Sequence, residues 1–416
     1  MSLNCTRRWL AVIALAVSSH LASAQSQFKI LHGFTGMNGD GGGLQGSVAL
    51  DEQGNVYGTT FGGGTYNAGT VFELSPAPNA EWNETILHSF DGYGDGGGPL
   101  GGPIVDGEGN VYGTTDDDGP YHGGTAFELS PSPNGWTEQI LHNFCSQPDC
   151  EDGASSWASL TIDGAGNLFG TGHVAFELSR NFNGTWIETT LHVFTGQNGD
   201  GVTPRTGVIF DRAGNLYGTA GGGGSPKCYG GGCGTVYELR PILDGPDGGW
   251  SESILHAFGF SQNDGQLPSL GELAIDKTGN LYGTTSQGGA NLCFAGCGTI
   301  LELSRSSTGR WIEKILYNFK FDASGFDPGG GVVIDKVGNL YGTTIEGGSQ
   351  NCGCGVVYKL SPQPGGQWQY TVLHNFIGID GAQPDANLTL DTQGNLYGTT
   401  LTGGPGGAGV VFELTP

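Results

Sequence analysis

Apolar residues in this chain fall in short runs, and the runs recur in one order. The stretch from Gly101 to Phe144 shows the unit. Pro103-Ile104-Val105-Asp106 predicts a short strand, and Gly107-Glu108-Gly109-Asn110 a tight turn. Val111-Tyr112-Gly113-Thr114-Thr115 predicts a second strand. A Gly-rich loop follows, then Thr125-Ala126-Phe127-Glu128-Leu129 as a third strand. Ser130 to Gly135 form a Pro-containing turn, and Trp136 to Phe144 (WTEQILHNF) give a fourth strand. β-branched and aromatic runs bounded by turn formers predict strands. No segment carries a helical apolar period of useful length.

The unit recurs. Its second strand is written seven times, as GNVYGTT, GNVYGTT, GNLFGTG, GNLYGTA and three copies of GNLYGTT. The asparagines are Asn55, Asn110, Asn167, Asn215, Asn280, Asn339 and Asn395, at gaps of 55, 57, 48, 65, 59 and 56 residues. Such a period implies a repeat architecture. Four short antiparallel strands per unit predict an all-β fold, a seven-bladed β-propeller. A β-helix is the runner-up, but its coils are usually shorter and parallel. The last repeat stops after a third strand, Val410 to Leu414. Phe28-Lys29-Ile30-Leu31-His32 matches the fourth-strand phrase instead, so the N-terminal strand should complete the last blade and cover an open edge. In a propeller, the loops between strands two and three share the upper face with the loops leading into each next blade.

Composition narrows the class. The chain has 416 residues and 81 glycines, with no Gly-X-Y period and 36% hydrophobic residues. Collagen and disordered low-complexity chains are thereby excluded. Residues 1–24 read as a secretory signal: Arg7 and Arg8, an apolar Trp9 to Val17, and Ala22-Ser23-Ala24 before the cleavage point. Residues 25–416 should then form one repeat domain. The apolar stretch is too short to span a bilayer, so no membrane insertion is expected once the signal is removed. Formal net charge is −25, and −27 without Arg7 and Arg8. That surface repels nucleic acid and anionic membranes. Cys5 leaves with the signal. The other eight cysteines form close pairs, Cys145/Cys150, Cys228/Cys233, Cys293/Cys297 and Cys352/Cys354, as expected for disulfides in an exported chain. Zinc binding is the alternative.

Residues present in every repeat are expected to hold the fold. Asp106 with Gly109-Asn110 caps a turn. His32, His88, His142, His192, His256 and His374, with Tyr317 in the remaining blade, sit in separate blades and are expected to pack with a hydrogen bond rather than form one metal array. Alternation puts Ile86, His88 and Phe90 on one strand face. Trp82, Trp136, Trp186, Trp250, Trp311 and Trp368 should pack blade on blade, with carbohydrate stacking as the alternative. Glu73, Glu128, Glu177, Glu238, Glu302 and Glu413 should pair across blades. Asp40, Asp95, Asp152, Asp200, Asp264, Asp327 and Asp380 recur in the loops leading to the next blade. They are turn residues or a rim that binds cations or sugar hydroxyls, and they leave calcium open. No cofactor is identified.

The second and third repeats depart most from the rest. The second carries Asp116-Asp117-Asp118-Gly119-Pro120-Tyr121-His122 where others are Gly-rich. The third reduces that loop to Gly172-His173-Val174. Between them lie Glu151, Asp152 and an extra Trp157. A shortened loop should open a notch, and Asp116, Asp117, Asp118, Tyr121, His122, Glu151, Asp152, Trp157 and His173 are its candidate ligand-binding residues. Such a mixture could bind a metal or a sugar, or support acid/base chemistry. Ordinary repeat drift is the other reading. No G-x-S-x-G, H-E-x-x-H or phosphate loop is present, and no residue is assigned as catalytic.

The spaced phrases G-N-L-Y-G-T-T, a Gly-Gly loop, G-T-V-F-E-L-S-P and W-x-E-x-x-L-H-x-F resemble the GloVer tandem repeat over essentially all of the chain after the signal. The resemblance implies an exported bacterial repeat protein and brings no catalytic residues. Members often carry C-terminal anchoring signals. This chain ends inside a repeat, which favours a secreted or periplasmic location. The expectation is a non-enzymatic, monomeric binding scaffold whose partner is a glycan or an envelope protein. The alternative is an extracellular carbohydrate lyase or hydrolase using the notch. Fold analogy alone adds a quinone- or metal-dependent oxidoreductase.

Overall fold

The computed structural model describes residues 26–416, apart from 79–80, 229–230, 243–248, 261–262, 269–270, 291–292 and 294–295. The signal segment with Arg7, Arg8 and Cys5 lies outside the described residues. Seven four-stranded antiparallel sheets follow one another as blades. Blades 1 to 6 span 49–89, 104–143, 161–193, 209–257, 274–318 and 333–375. Blade 7 takes three strands from 389–415 and its outer strand from Gln27–Gly33, which pairs with Val410–Thr415 from Gln27↔Thr415 to Gly33↔Val410. The ring closes as the repeat pattern predicts.

The recurrent phrase is a set of contacts. In blade 1 the Asp51 carboxylate accepts hydrogen bonds from the Gln53 and Asn55 backbone, the Asn55 side-chain amide and the Tyr57 hydroxyl. A Cβ on Gly58 would lie 2.3 Å from Cζ of Phe72, so only Gly lets the third strand's ring cross under the second strand. The first Thr of each phrase reaches the next blade. Thr59 donates to the Gly101 carbonyl (2.9 Å) and Thr284 to that of Gly330 (2.9 Å). Thr399 donates to that of Gly46 (3.0 Å) and closes the belt. The fourth-strand Trp packs edge-on to the preceding blade's second-strand ring, as Trp186 does on Tyr112. Glu128 accepts from Tyr112 and from Arg180 of blade 3. Apolar burial is divided accordingly among seven clusters, each between two adjacent blades.

The fourth strand bulges in every blade. In blade 1 the pairing passes from Phe72↔Ile86 to Val71↔His88, leaving Leu87 unpaired. A bulge breaks the simple alternation of faces. Trp82 and Ile86 therefore face blade 7, whereas Leu87 and Phe90 pack into the cluster shared with blade 2. His88 goes with Phe90 and not with Ile86.

All four cysteine pairs are disulfides, Cys145–Cys150, Cys228–Cys233, Cys293–Cys297 and Cys352–Cys354. Bonds of this kind suit an oxidising compartment. Among the described residues, no helix is long and apolar enough to cross a membrane.

Candidate functional site

The upper face carries a notch where the second and third repeats depart from the pattern. In blade 3 the strands Leu168–Thr171 and Val174–Arg180 are joined by Gly172 and His173 alone. A Cβ on Gly172 would meet the Ala154 carbonyl oxygen at 2.6 Å, so the shortened loop hugs the segment leading into its own blade. The cavity left above it has a volume of about 200 Å³. Its lining is Asp116 from blade 2, Ser155 and Trp157 ahead of blade 3, Gly172-His173, and Thr203-Pro204-Arg205 ahead of blade 4.

These side chains are held in specific ways. The Arg205 guanidinium lies over the Trp157 ring at 3.9 Å, a cation–π contact that fixes both. Ser155 and Thr203 have left-handed backbones, φ 51° and 54°, at the position that Gly43 and Gly98 occupy in blades 1 and 2. Leu267, Asp327 and Gln383 take the same conformation in blades 5 to 7, so it belongs to the repeat and not to the notch. Asp116 has one oxygen, Oδ1, that is buried without a hydrogen-bond partner. Burial holds its carboxyl above the ordinary range, and the Asp117 charge adds to this. Trp157, Arg205 and Ser155 pull the other way. An unpaired buried acceptor beside an exposed His173 makes this a place that can take a donor from a ligand.

The notch adjoins the mouth of the central channel, since Trp157 and Arg205 line both. The mouth itself holds only about 50 Å³. Glycine backbones converge there: a Cβ on Gly102 would lie 2.1 Å from the Ser47 carbonyl oxygen. Where other blades place Ser47, Gly102, Ser159, Gly207, Gly331 or Asn387, blade 5 places Glu272. Its carboxyl interacts with Ser159 of blade 3 and Asn387 of blade 7, and a Cβ on Gly207 of blade 4 would meet its Oε1 at 2.6 Å. Burial raises this carboxyl, while Ser159 and Asn387 oppose the rise. Glu272 thus closes the mouth across the ring.

Of the nine candidates read from sequence, Asp116, Trp157 and His173 share the notch. The other six lie outside its lining. Asp117 pairs through its backbone with Gly97. Asp118 and His122 take left-handed backbones in the blade 2 loop, and Tyr121 is exposed there. The Glu151 carbonyl accepts from Thr190, and its side chain is exposed. Asp152 is buried against His142 (3.0 Å) and the Ser146 hydroxyl (2.6 Å). Arg205 and Thr203 are not evident from the altered loops, because they come from the segment ahead of blade 4; Ser155 lies in the altered connection but has no side-chain chemistry that marks it out. A signal existed: the position held by Gln45, Leu100, Trp157, Arg205, Gly329 and Asp385 varies widely between repeats.

The recurrent rim aspartates have a defined place. Asp40, Asp95, Asp152, Asp200, Asp264 and Asp380 accept from backbone N–H groups of their own turns. Each also meets the fourth-strand histidine of its blade. They stand beside the outer strands and do not ring the channel. Asp327 does not belong to the series. It occupies the left-handed position of Gly98, with φ 57°, and Ser324 stands where the others have Asp.

The fold and the notch together define a seven-bladed repeat propeller with a small polar pocket on its upper face. The chain belongs to the Gloeobacter/Verrucomicrobia repeat family, whose model matches residues 16–225 and 229–416. No curated protein matches it. Among solved structures it is similar to a protein described as a putative oxidoreductase (glucose dehydrogenase) from Thermus thermophilus. Identity is 13% and the TM-score 0.43, over 94% of this chain and all of the other. It is also similar to a luciferin-regenerating enzyme, with 16% identity and a TM-score of 0.42, over 76% of this chain and 90% of the other. At these scores neither likeness bears on activity.

Proposed function

We propose that this protein is an exported, non-enzymatic propeller that binds a small polyhydroxylated ligand, one saccharide unit of a glycan, in the blade 2–3 notch. The observation that carries the reading is the notch lining: a buried acceptor on Asp116, a guanidinium fixed over Trp157, and an exposed His173 around one cavity. Drug-sized ligands need roughly 300–1,000 Å³. A cavity of about 200 Å³ suits a single small polar ring. Hydroxyl groups can donate to Asp116 and accept from Arg205, which the Trp157 ring holds in place. The four disulfides and the N-terminal signal pattern support export.

The lyase or hydrolase reading uses the same cavity. Most glycoside hydrolysis employs two carboxylates about the scissile bond, and the lining contributes one, Asp116. That favours binding over turnover. Screening the wild-type chain on an array of bacterial and plant glycans checks the reading, with mass spectrometry of each retained glycan. Retention with unchanged ligand mass is expected. Shortened or unsaturated products would replace it with the enzymatic reading, and no retention would remove it.

A further inference from the structure

The fourth strand bears a residue the notch does not use. Its phrase W-x-E-x-x-L-H carries a Glu, and the bulge decides what that Glu meets. Before the bulge the side chains face the preceding blade, and after it they face the next one. One strand therefore offers Glu backwards and His forwards. Each junction then gathers a His, the Asp of its own loop, and the Glu of the following blade.

Four junctions are complete: His32 with Asp40 and Glu84, His88 with Asp95 and Glu138, His192 with Asp200 and Glu252, and His256 with Asp264 and Glu313. In each, one ligand atom from every residue lies within 4.8 Å of the others. The His Nε2 to Glu distances are 3.5, 3.4, 3.6 and 3.7 Å. The His Nε2 to Asp distances are 4.0, 2.8, 3.3 and 3.3 Å. Tetrahedral ligands at about 2.0–2.1 Å from a cation stand about 3.3–3.4 Å apart. The groups need little movement to close on one ion. An oxygen (Oε1) of Glu84, Glu138, Glu252 and Glu313 is buried with no N–H or hydroxyl donor on it, as is Oδ1 of Asp40, and Nε2 of His32 is likewise unpartnered. The Glu84, Glu252 and Glu313 carboxyls also meet the carboxyls of Asp40, Asp200 and Asp264, a like-charge contact that a cation would relieve.

The remaining junctions serve as internal controls. Between blades 5 and 6 all three members change together, to Tyr317, Ser324 and Tyr370. The two rings stack at 4.2 Å, and the Tyr370 hydroxyl donates to the Ser324 carbonyl (2.6 Å). Between blades 6 and 7, Phe28 takes the Glu place and stacks on His374 at 3.8 Å. Between blades 2 and 3, Glu188 accepts from Thr190 instead (3.1 Å). Only between blades 5 and 6 do the three positions change together, whereas at the other two junctions the His–Asp pair stays and only the Glu contact is lost.

We propose that the four complete junctions are divalent transition-metal sites, each clamping two adjacent blades through one imidazole and two carboxylates. An imidazole nitrogen among carboxylates suits zinc and its first-row neighbours, whereas calcium takes oxygen ligands. Partial exposure of the His and Glu side chains at every one of the four leaves a path for the ion.

Direct metal counting tests this. The chelator-stripped chain, freed of its signal segment, is dialysed against Zn²⁺, washed, and assayed by elemental mass spectrometry. Four equivalents are expected. E138Q keeps the size, removes the charge and should bind one fewer. The combined E84Q/E138Q/E252Q/E313Q variant should bind none, and H374A should match wild type. Zinc retention that is absent in the combined variant supports the proposal. If that variant does not fold, the one-equivalent loss in E138Q decides instead. No retention by wild type, or a count unchanged in the Gln variants, would overturn the proposal.

Discussion

Single residues in this molecule act through what surrounds them, and Asp385 shows it most simply. It lies ahead of the first strand of blade 7, with Oδ1 buried and unpartnered, and burial pushes its carboxyl up to about 7. An unfolded Asp titrates near 3.9. Between these values the folded state holds a proton that the unfolded state has released. Stability from this residue is therefore greatest at low pH and falls as pH rises from about 4 through 7. D385N removes the charge and keeps the shape. In denaturant unfolding, D385N and wild type should differ little near pH 4. The variant should be more stable by on the order of 2–4 kcal/mol at pH 8. A difference that does not vary with pH would contradict this reading. The same reasoning governs Asp116, whose Asp character was legible in the sequence while its buried oxygen was not. Burial depends on Trp157 and Arg205, which arrive from the segments ahead of blades 3 and 4.

Elements carry the repeat, and here the sequence was most readable. Period-two strands and D-x-x-G-N turns could be placed because each has its own local chemistry. The Gly of the second strand is the clearest case: Cβ atoms on Gly58 and Gly113 would lie 2.3 and 2.6 Å from the Phe72 and Phe127 rings. G58A should cost about 1–3 kcal/mol through overpacking, read as a fall in unfolding midpoint. G107A has open space around the new methyl and should stay within about 0.5 kcal/mol of wild type. Equal effects would discount close packing as the reason for the glycine. The bulge at Leu87 was not readable, since a bulge changes pairing without altering the apolar rhythm. Missing it puts His88 on the wrong face and hides Glu138 as its neighbour. The Glu of the W-x-E-x-x-L-H phrase was visible throughout. Its role was not, because its partners belong to the preceding blade and the loop after it.

At the scale of the whole molecule, closure of the ring was predictable because one unit is divided between the chain ends. The pairing of Gln27–Gly33 with Val410–Thr415, the Thr399 bond to Gly46 and the apolar cluster between blades 7 and 1 all hold it. T399V leaves the buried Gly46 carbonyl without this donor and should cost about 1–3 kcal/mol. Removal of residues 26–33 uncovers the Val410–Thr415 edge, which should drive association between chains. Light scattering should show a loss of monomer, and a synthetic 26–34 peptide should restore it. Monomer unchanged by the deletion would mean that the first strand is dispensable. The notch depends on the same ring, since its lining comes from segments of three successive blades. Its position followed from the one shortened loop, whereas Arg205 could be added only once the blades were in place.

Glycan-array binding by wild type, D116N and W157A tests the notch most directly. Wild type should retain one saccharide class, with at least a tenfold loss in each variant, equivalent to about 1.4 kcal/mol. Both variants should remain folded at the assay temperature, as read from their unfolding midpoints. Retention that survives both substitutions would place the ligand elsewhere and rule out the notch as its site.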